Sequence, residues 1–249
     1  MQQARRALWL GTAVLIGGYA AFAILLLATP SVATARQLAR AQDKAHHAVY
    51  PGPPVPARFA AALEATEDHR FTTEPGIDPI AIGRFVLGEI TGQGDTGGAT
   101  LYQQLAKMLY TNGQPSLGME ADQVALGIKL RLKYGPAEVL RLYAAVVYFG
   151  HQFYGLKAAS CGYFGVPPAK MSWPQAALLA GLVYDPTIDD PLVYPAHGFR
   201  REEHVIGRRV AVGVLTQQQA RRVLRVPMRT LLAHAGQGCG SQARAQATG

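Results

Sequence analysis

The stretch GGATLYQQLAK, residues 97–107, joins a glycine-rich opening to a strong signal for the start of a helix. Thr100 and Gln103 match a capping box, in which two side chains satisfy free backbone groups of the first turn. The remaining free amides at a helix start attract phosphate groups. We therefore expect Thr100, Gln103, Gln104 and Lys107 to line an anion-binding pocket. An ordinary capped surface helix is the alternative, and the nucleotide P-loop pattern GxxxxGK[ST] is absent.

Three carboxylates precede this stretch at helical spacing: Glu64, Glu67 and Asp68. Residues three and four apart share a helix face, and like charges placed there raise at least one pKa. A carboxyl with a raised pKa suits a general base or acid. The alternative is a solvated acidic face with Arg70 as its partner.

The rest of the chain is predicted to be mainly α. Two further capping boxes begin at Ser172 and Thr216, and no stretch alternates apolar and polar residues with a period of two. The five helices expected before them span residues 57–71, 79–89, 100–110, 119–134 and 136–149.

The N-terminal part contains an apolar segment, residues 7–29, without a single charged side chain. It is long enough to cross a bilayer as a helix. We expect a retained membrane anchor rather than a cleaved signal peptide, whose apolar core is usually about 7–15 residues.

These patterns divide the chain into five parts. They are a short N-terminal tail (1–6), a transmembrane helix (7–29), a Pro-rich linker (30–56), a helical domain (57–226) and a basic, flexible tail (227–249).

The formal charge of +8 is concentrated near the C-terminus. Residues 1–198 hold 15 Lys+Arg and 14 Asp+Glu, whereas residues 199–249 hold 9 arginines and two glutamates. We expect this arginine belt to contact the anionic group of a membrane lipid, either a headgroup or a lipid pyrophosphate, apart from the site of the three carboxylates. The alternative is a pair of basic helices that are merely solvated. The belt comprises Arg200, Arg201, Arg208, Arg209, Arg221, Arg222, Arg225, Arg229 and Arg244. Nucleic acid is a weaker alternative, because the sequence offers no nucleic-acid-binding motif.

The two cysteines, Cys161 and Cys239, exclude a disulfide-rich scaffold and a four-cysteine zinc site. Because Cys239 falls in the predicted tail, we expect the two not to pair. The seven histidines show no metal-ligand spacing, so no metal held by protein side chains is predicted.

Two motifs carry a family resemblance. The run EDHRF at residues 67–71, followed by Gly76, resembles E-D-x-x-F-x-x-H-x-G, and residues 97–107 resemble G-G-S-T-I-x-Q-Q-L-x-K. Arg84 matches an arginine usual between them, and residues 148–165 and 173–182 fit as well. Arg201 with Val205 and Ile206 is a weak match to the family's last motif, R-R-x-x-V-L. Over roughly residues 57–225, the chain resembles family 51 peptidoglycan glycosyltransferases.

The resemblance implies a lysozyme-like α-helical domain on the outer face of the cytoplasmic membrane, behind one transmembrane helix. Such enzymes polymerise lipid II into β-1,4 glycan strands and release the lipid pyrophosphate with inversion. The implied base is Glu67. The implied substrate-binding residues are Asp68, Arg84, Thr100, Gln103, Gln104 and Lys107. Mg²⁺ or Mn²⁺ would accompany the pyrophosphate, and the partners would be lipid II, the growing glycan strand, membrane lipid and cell-wall synthesis proteins.

The chain also departs from the family pattern. Glu74 stands where the first motif has histidine, and Gln123 stands where the third motif R-K-x-x-E has glutamate. An amide cannot accept a proton as a carboxylate does. Three interpretations follow: Glu120, one turn away, substitutes as the acid; or activity is weak; or the protein binds lipid-linked glycan or a partner without catalysis.

Overall fold

The computed structural model describes residues 2–92, 98–111 and 117–239. Within these ranges the chain forms twelve α-helices and two short 3₁₀-helices, and its one β-contact is an isolated bridge between Tyr148 and Tyr154. The helices are α1 Gln2–Ala28, α2 Ala35–Ala45, α3 Ala57–Glu67, α4 Pro79–Thr91, α5 Leu101–Tyr110, α6 Leu117–Lys133, α7 Pro136–Val146, α8 Gly155–Phe164, α9 Trp173–Leu182, α10 Pro195–Ala211, α11 Gln217–Val223 and α12 Met228–Leu231. The predicted mainly α fold is confirmed.

The N-terminal helix α1 is apolar and long enough to cross a membrane. Its candidate spanning window has a mean hydropathy of 2.2, and none of that window is buried by the rest of the protein. A helix of this kind serves either as an anchor or as a signal sequence. The long apolar helix itself agrees with the prediction for residues 7–29.

The predicted helix starts are accurate where a capping box marks them. The Thr100 hydroxyl accepts a hydrogen bond from the backbone N–H of Gln103, and the Gln103 side-chain oxygen accepts one from the Thr100 N–H at 2.8 Å. The boxes that begin at Ser172 and Thr216 form in the same way. Each cap fixes the first residue of its helix, because its partners lie within one turn of each other.

The centre of the domain is α9, whose residues from Ala176 to Leu182 are all buried. This helix is apolar on every side, as expected for one surrounded by other helices. It packs against α3 and α10, while α5 packs against α6. Hydrogen bonds from the Leu101 N–H to Asp68 and from the Gln104 side chain to Glu67 hold the end of α3 close to the start of α5.

The segment predicted as a linker, residues 30–56, contains the helix α2, so it is not a free spacer. α2 packs against α7, with Ala35 and Ala39 fully buried. Alanines four residues apart present a narrow apolar face on which another helix can pack closely. After Pro30 the prolines of this segment are confined to residues 51–56, so they do not prevent a helix over Ala35–Ala45.

The C-terminal tail, predicted to be flexible over residues 227–249, is packed against the domain as far as Cys239. Met228 and Leu231 of α12 are buried, and the Gly236 N–H donates to the Gly162 carbonyl of α8 at 2.8 Å. Residues 240–249 lie outside the described part of the chain.

The expectation of unpaired cysteines is also wrong. Cys161 of α8 and Cys239 form a disulfide, with their Cα atoms 4.9 Å apart. That spacing is within the ordinary range for the bond. The pairing depends on the tail folding back onto α8, which separation along the chain does not reveal.

Candidate active site

A cavity of about 710 Å³ lies where α3, α5, α6, α7 and α10 approach one another. Its described lining comprises Thr66, Glu67, Gly98, Ala99, Gln104, Lys107, Met108, Gln123, Tyr143, Val147, Val183, Tyr184, Arg201 and His204. The cavity brings the predicted base together with two of the predicted anion-binding residues, Gln104 and Lys107.

Glu67, the last residue of α3, is held by a chain of side-chain hydrogen bonds. The Gln104 amide donates to the Glu67 carboxylate at 3.1 Å, and the Tyr143 hydroxyl donates to the Gln104 amide oxygen at 2.9 Å. Tyr143 is buried in α7, so its hydroxyl position is fixed by packing. These two hydrogen bonds therefore fix which end of the Gln104 amide faces Glu67. They also fix which oxygen of the Glu67 carboxylate the amide contacts.

Burial is the main cause that raises the pKa of Glu67. The Gln104 hydrogen bond and the positive charge of Arg201 lower this pKa, and the nearby Asp68 raises it. The pKa of Glu64 is raised as well, mainly by burial. The predicted direction is thus correct, but desolvation rather than mutual repulsion is the leading cause.

Asp68 does not continue the helical face of Glu67, because α3 ends at Glu67. Its buried carboxylate accepts a hydrogen bond from the Leu101 N–H at 3.0 Å. The residue therefore ties the end of α3 to the first turn of α5. It also borders a smaller cavity of about 180 Å³ next to the main one.

The predicted pocket of Thr100, Gln103, Gln104 and Lys107 is divided by the structure. Thr100 is buried, donates to the Gly76 carbonyl at 3.2 Å and borders the smaller cavity. Gln103 lines neither cavity, because its side-chain oxygen is engaged in the helix cap. Gln104 and Lys107 line the main cavity, while the Arg84 side chain lies outside the described part of the structure.

Glu74 is buried, and its carboxyl lies against that of Asp68, which borders the smaller cavity. Burial and the neighbouring carboxylates of Asp68 and Asp78 raise the pKa of Glu74 to about 8. Asp78 forms an ion pair with Arg70. Near neutral pH, Glu74 is therefore held largely in its protonated, neutral form.

The substitute acid predicted from sequence does not reach the main cavity. Glu120 is exposed and is absent from the described lining, whereas Gln123, one turn later in α6, lines the cavity and donates to the Thr111 hydroxyl at 3.3 Å. The amide therefore occupies this wall of the cavity, and the carboxylate one turn away does not replace it.

The main residue that sequence reasoning misplaced is Arg201. It lines the main cavity, donates to the Gly181 carbonyl at 3.0 Å, forms an ion pair with Asp189 at 3.4 Å and stacks on the Tyr184 ring at 4.4 Å. The expectation that the arginine belt lies apart from the active site is therefore wrong. The only sequence signal was a weak match of Arg201 to the last family motif.

A protein-family model described as "Transglycosylase" matches residues 34–210 of the chain. The chain belongs to the transglycosylase family. The match begins just before α2, which agrees with the packing of that helix onto the domain.

The chain is similar to several penicillin-binding proteins. It is 34% identical over 171 residues to penicillin-binding protein 2a of Streptococcus pneumoniae serotype 2 (strain D39), covering 69% of this chain and 23% of that protein. Penicillin-binding protein 1A of Aquifex aeolicus is 32% identical over 175 residues, covering 70% of this chain and 24% of that protein. Penicillin-binding protein 1A of Escherichia coli is 31% identical over 166 residues, covering 66% and 20%. The chain thus spans about a quarter or less of the length of these relatives.

The main cavity combines an oriented carboxylate with two cations. Lys107 and Arg201 line the same cavity as Glu67 and come from different helices, α5 and α10. Positive groups fixed in a cleft stabilise negative charge that develops on a leaving group. The geometry therefore suits a reaction in which a hydroxyl is deprotonated and an anionic group departs.

Proposed function

We propose that this transglycosylase polymerises lipid II into β-1,4-linked glycan strands, with Glu67 as the general base. The Glu67 carboxylate takes the proton of the acceptor 4-hydroxyl, and that oxygen attacks the anomeric carbon of the growing chain. The bond from this carbon to the lipid pyrophosphate breaks, with inversion. The observation that carries the proposal is the hydrogen-bonded Glu67 in one cavity with Lys107 and Arg201.

The leaving pyrophosphate is placed at Lys107 and Arg201. Arginine can meet two phosphate oxygens at once, whereas lysine acts as a compact point charge. Arg201 is already held by Gly181 and Asp189, so little side-chain freedom is lost when it binds an anion. The two cations therefore supply electrostatic stabilisation where charge develops.

The described lining does not fit a divalent metal held by the protein. Glu67 is the one carboxylate among the described residues of the cavity, and magnesium sites usually add one or two carboxylates to substrate phosphates. Because Glu67 is needed as the base, we propose that any Mg²⁺ or Mn²⁺ enters with the substrate phosphates.

We place the domain on the outer side of the cytoplasmic membrane, with α1 as its anchor. The Cys161–Cys239 disulfide supports this side, because such bonds persist in oxidising compartments and are rare in the cytosol. The implied partners are lipid II, the growing strand and other proteins of cell-wall synthesis.

Lipid II turnover by the full chain tests the proposal, with Mg²⁺ and Mn²⁺ each added and omitted. We expect Glu67→Gln to lower turnover roughly 10²- to 10⁴-fold, the usual contribution of a general base. Glu64→Gln is the matched control, because Glu64 lies one turn earlier in α3 and does not line the cavity. Equal inactivity of the wild type and Glu67→Gln under all these conditions refutes the catalytic proposal.

A second candidate is a protein that binds lipid-linked glycan without polymerising it. Gln123 favours this candidate, because an amide lines the cavity where the family has its second carboxylate. If the protein is a binder, the wild type retains labelled lipid II but does not extend it. Turnover gained by Gln123→Glu would instead show that the lost carboxylate is what limits a catalytic site.

A further inference from the structure

A second basic site lies on an exposed face of α2. A cavity of about 380 Å³ is lined by Arg36, Gln37, Arg40, Ala41, Lys44 and Tyr50. None of these residues lines either cavity beside Glu67. The cavity is therefore separate from the active site.

The three cations of this cavity share one face of α2. Arg36, Arg40 and Lys44 follow one another at intervals of four residues, and all three are exposed. Arg36 forms an ion pair with Glu138 at 2.8 Å, but neither Arg40 nor Lys44 has an ion-pair partner within the described residues. The site therefore keeps an excess of positive charge.

Aromatic rings hold two of these cations in place. The Arg40 guanidinium lies 5.3 Å from the centroid of the Tyr50 ring, and Arg36 lies 5.4 Å from that of Tyr134. Stacking occupies the flat face of a guanidinium and leaves its N–H edge available for an anion. Arg40 is thus partly preorganised for phosphate, whereas the Nε–H of Arg36 already donates to Glu138 at 2.8 Å.

The position of this site is tied to the end of α1. Lys129 donates to the Thr29 carbonyl at 2.7 Å, and the Tyr134 hydroxyl donates to the Val32 carbonyl at 3.0 Å. These bonds fix the short connection between α1 and α2 against α6. The Tyr134 ring also contacts the Arg36 guanidinium, so the three cations lie at a fixed position just after the C-terminal end of α1.

We propose that this cavity binds the phosphate headgroup of an anionic phospholipid in the leaflet from which α1 emerges. Basic residues next to a membrane-spanning helix are attracted to anionic lipid, and the attraction decays within a Debye length. The location beside α1 favours a headgroup over free phosphate, because a lipid is held at high local concentration there. The site would set how the catalytic cavity is oriented above the bilayer.

The experiment uses the full chain in neutral detergent micelles that contain equal amounts of phosphatidylglycerol and phosphatidylcholine. Native mass spectrometry counts the lipids retained on the protein. For Arg40→Ala/Lys44→Ala we expect the preference for phosphatidylglycerol to fall roughly 25-fold, on the basis of about fivefold for each charge removed. Arg40→Lys should retain most of the preference, because it keeps the charge.

The matched control is Lys157→Ala/Lys170→Ala, which removes the same charge from two exposed positions outside the arginine belt and outside all three cavities. We expect it to keep the wild-type preference, and circular dichroism verifies that both double variants are folded. The proposal is overturned if the α2 variant keeps the wild-type preference, or if the Lys157/Lys170 variant loses as much. Displacement of the lipid by millimolar inorganic phosphate would overturn the choice of a lipid headgroup.

Discussion

At the scale of single residues, Glu67 owes its properties to neighbours that are distant in sequence. Gln104 and Tyr143, from two other helices, orient its carboxylate. Arg201, from a third, lowers its pKa against the effect of burial. The carboxylate of a base must be deprotonated at the working pH, so the balance between burial and these neighbours decides whether Glu67 can act.

Replacement of Arg201 tests this balance. In Arg201→Ala the pKa of Glu67 should rise, because a positive charge that favours the carboxylate is lost. The base then becomes protonated at a higher pH, so the acidic limb of the pH profile of kcat/KM should move to higher pH. We also expect kcat/KM to fall on the order of 10²-fold, as for loss of one fixed electrostatic contact.

The pH profile of lipid II polymerisation is the measurement. Arg201→Lys, which keeps the charge, should leave the acidic limb closer to its wild-type position. Arg221→Ala is the control, because Arg221 is exposed on α11 and lines neither cavity beside Glu67. An unmoved acidic limb in Arg201→Ala would contradict the assigned role of the arginine.

At the scale of elements, the site depends on a close approach between the loop after α3 and the helix α6. Gly76 has φ +98°, and a Cβ atom there would lie 2.6 Å from the Gly127 carbonyl oxygen. The Gly76 carbonyl also accepts the hydrogen bond of Thr100, at the cap of α5. The absence of a side chain at Gly76 therefore lets three elements meet beneath the active site.

Gly76→Ala should destabilise the protein through both backbone strain and collision. We expect a loss of about 3 kcal/mol or more in the free energy of unfolding, because the carbonyl of Gly127 must also shift. Gly213→Ala is the matched control, since Gly213 has φ +75° but no atom within 4 Å of the added Cβ. It should cost about 1–2 kcal/mol, the penalty of a left-handed conformation alone.

Chemical denaturation of the two variants beside the wild type gives the comparison. If both substitutions cost the same, the approach of Gly76 to α6 does not constrain the fold.

At the scale of the whole molecule, the arginines of the C-terminal belt lie in several different environments. Arg201 lines the main cavity and Arg208 the smaller one, whereas Arg209 is buried with its guanidinium 4.0 Å from the Trp173 ring centroid. Arg221 and Arg222 are exposed on α11. One run of charge in the sequence is thus divided among the two cavities, the core and solvent by the turns of α10 and α11.

The disulfide between Cys161 and Cys239 joins the C-terminal segment covalently to α8. Cys161 and Cys239 are separated by 78 positions, so their bond restricts a long loop in the unfolded chain. Cys161→Ser/Cys239→Ser should lower the free energy of unfolding by about 2–4 kcal/mol. Thermal unfolding of the oxidised wild type, the reduced wild type and the double variant measures the effect.

Reduction should bring the wild type to the stability of the double variant and leave the double variant unchanged. A wild type that unfolds at the same temperature with and without reductant would show that the bond adds no stability.

Local signals in the sequence were sufficient for the helical class, for the capped helix starts and for the two motifs that hold Glu67 and Gln104. A helix cap or an amphipathic period involves residues within about four positions of one another, so either signal can be recognised in the sequence alone. The same locality explains the errors at residues 30–56 and 227–249, where packing against the distant helices α7 and α8 decides the structure.

Only the tertiary structure decided which side chains share the cavity. Gln103 and Gln104 are adjacent in sequence, yet the first closes a helix cap while the second contacts Glu67, 37 positions away. Likewise, Arg201 joins the site and Glu120 does not, although the sequence predicted that the arginine belt lies apart from the site and that Glu120 reaches it. The direction in which each helix faces is set by the core around α9, and this depends on contacts between residues that the chain order keeps far apart.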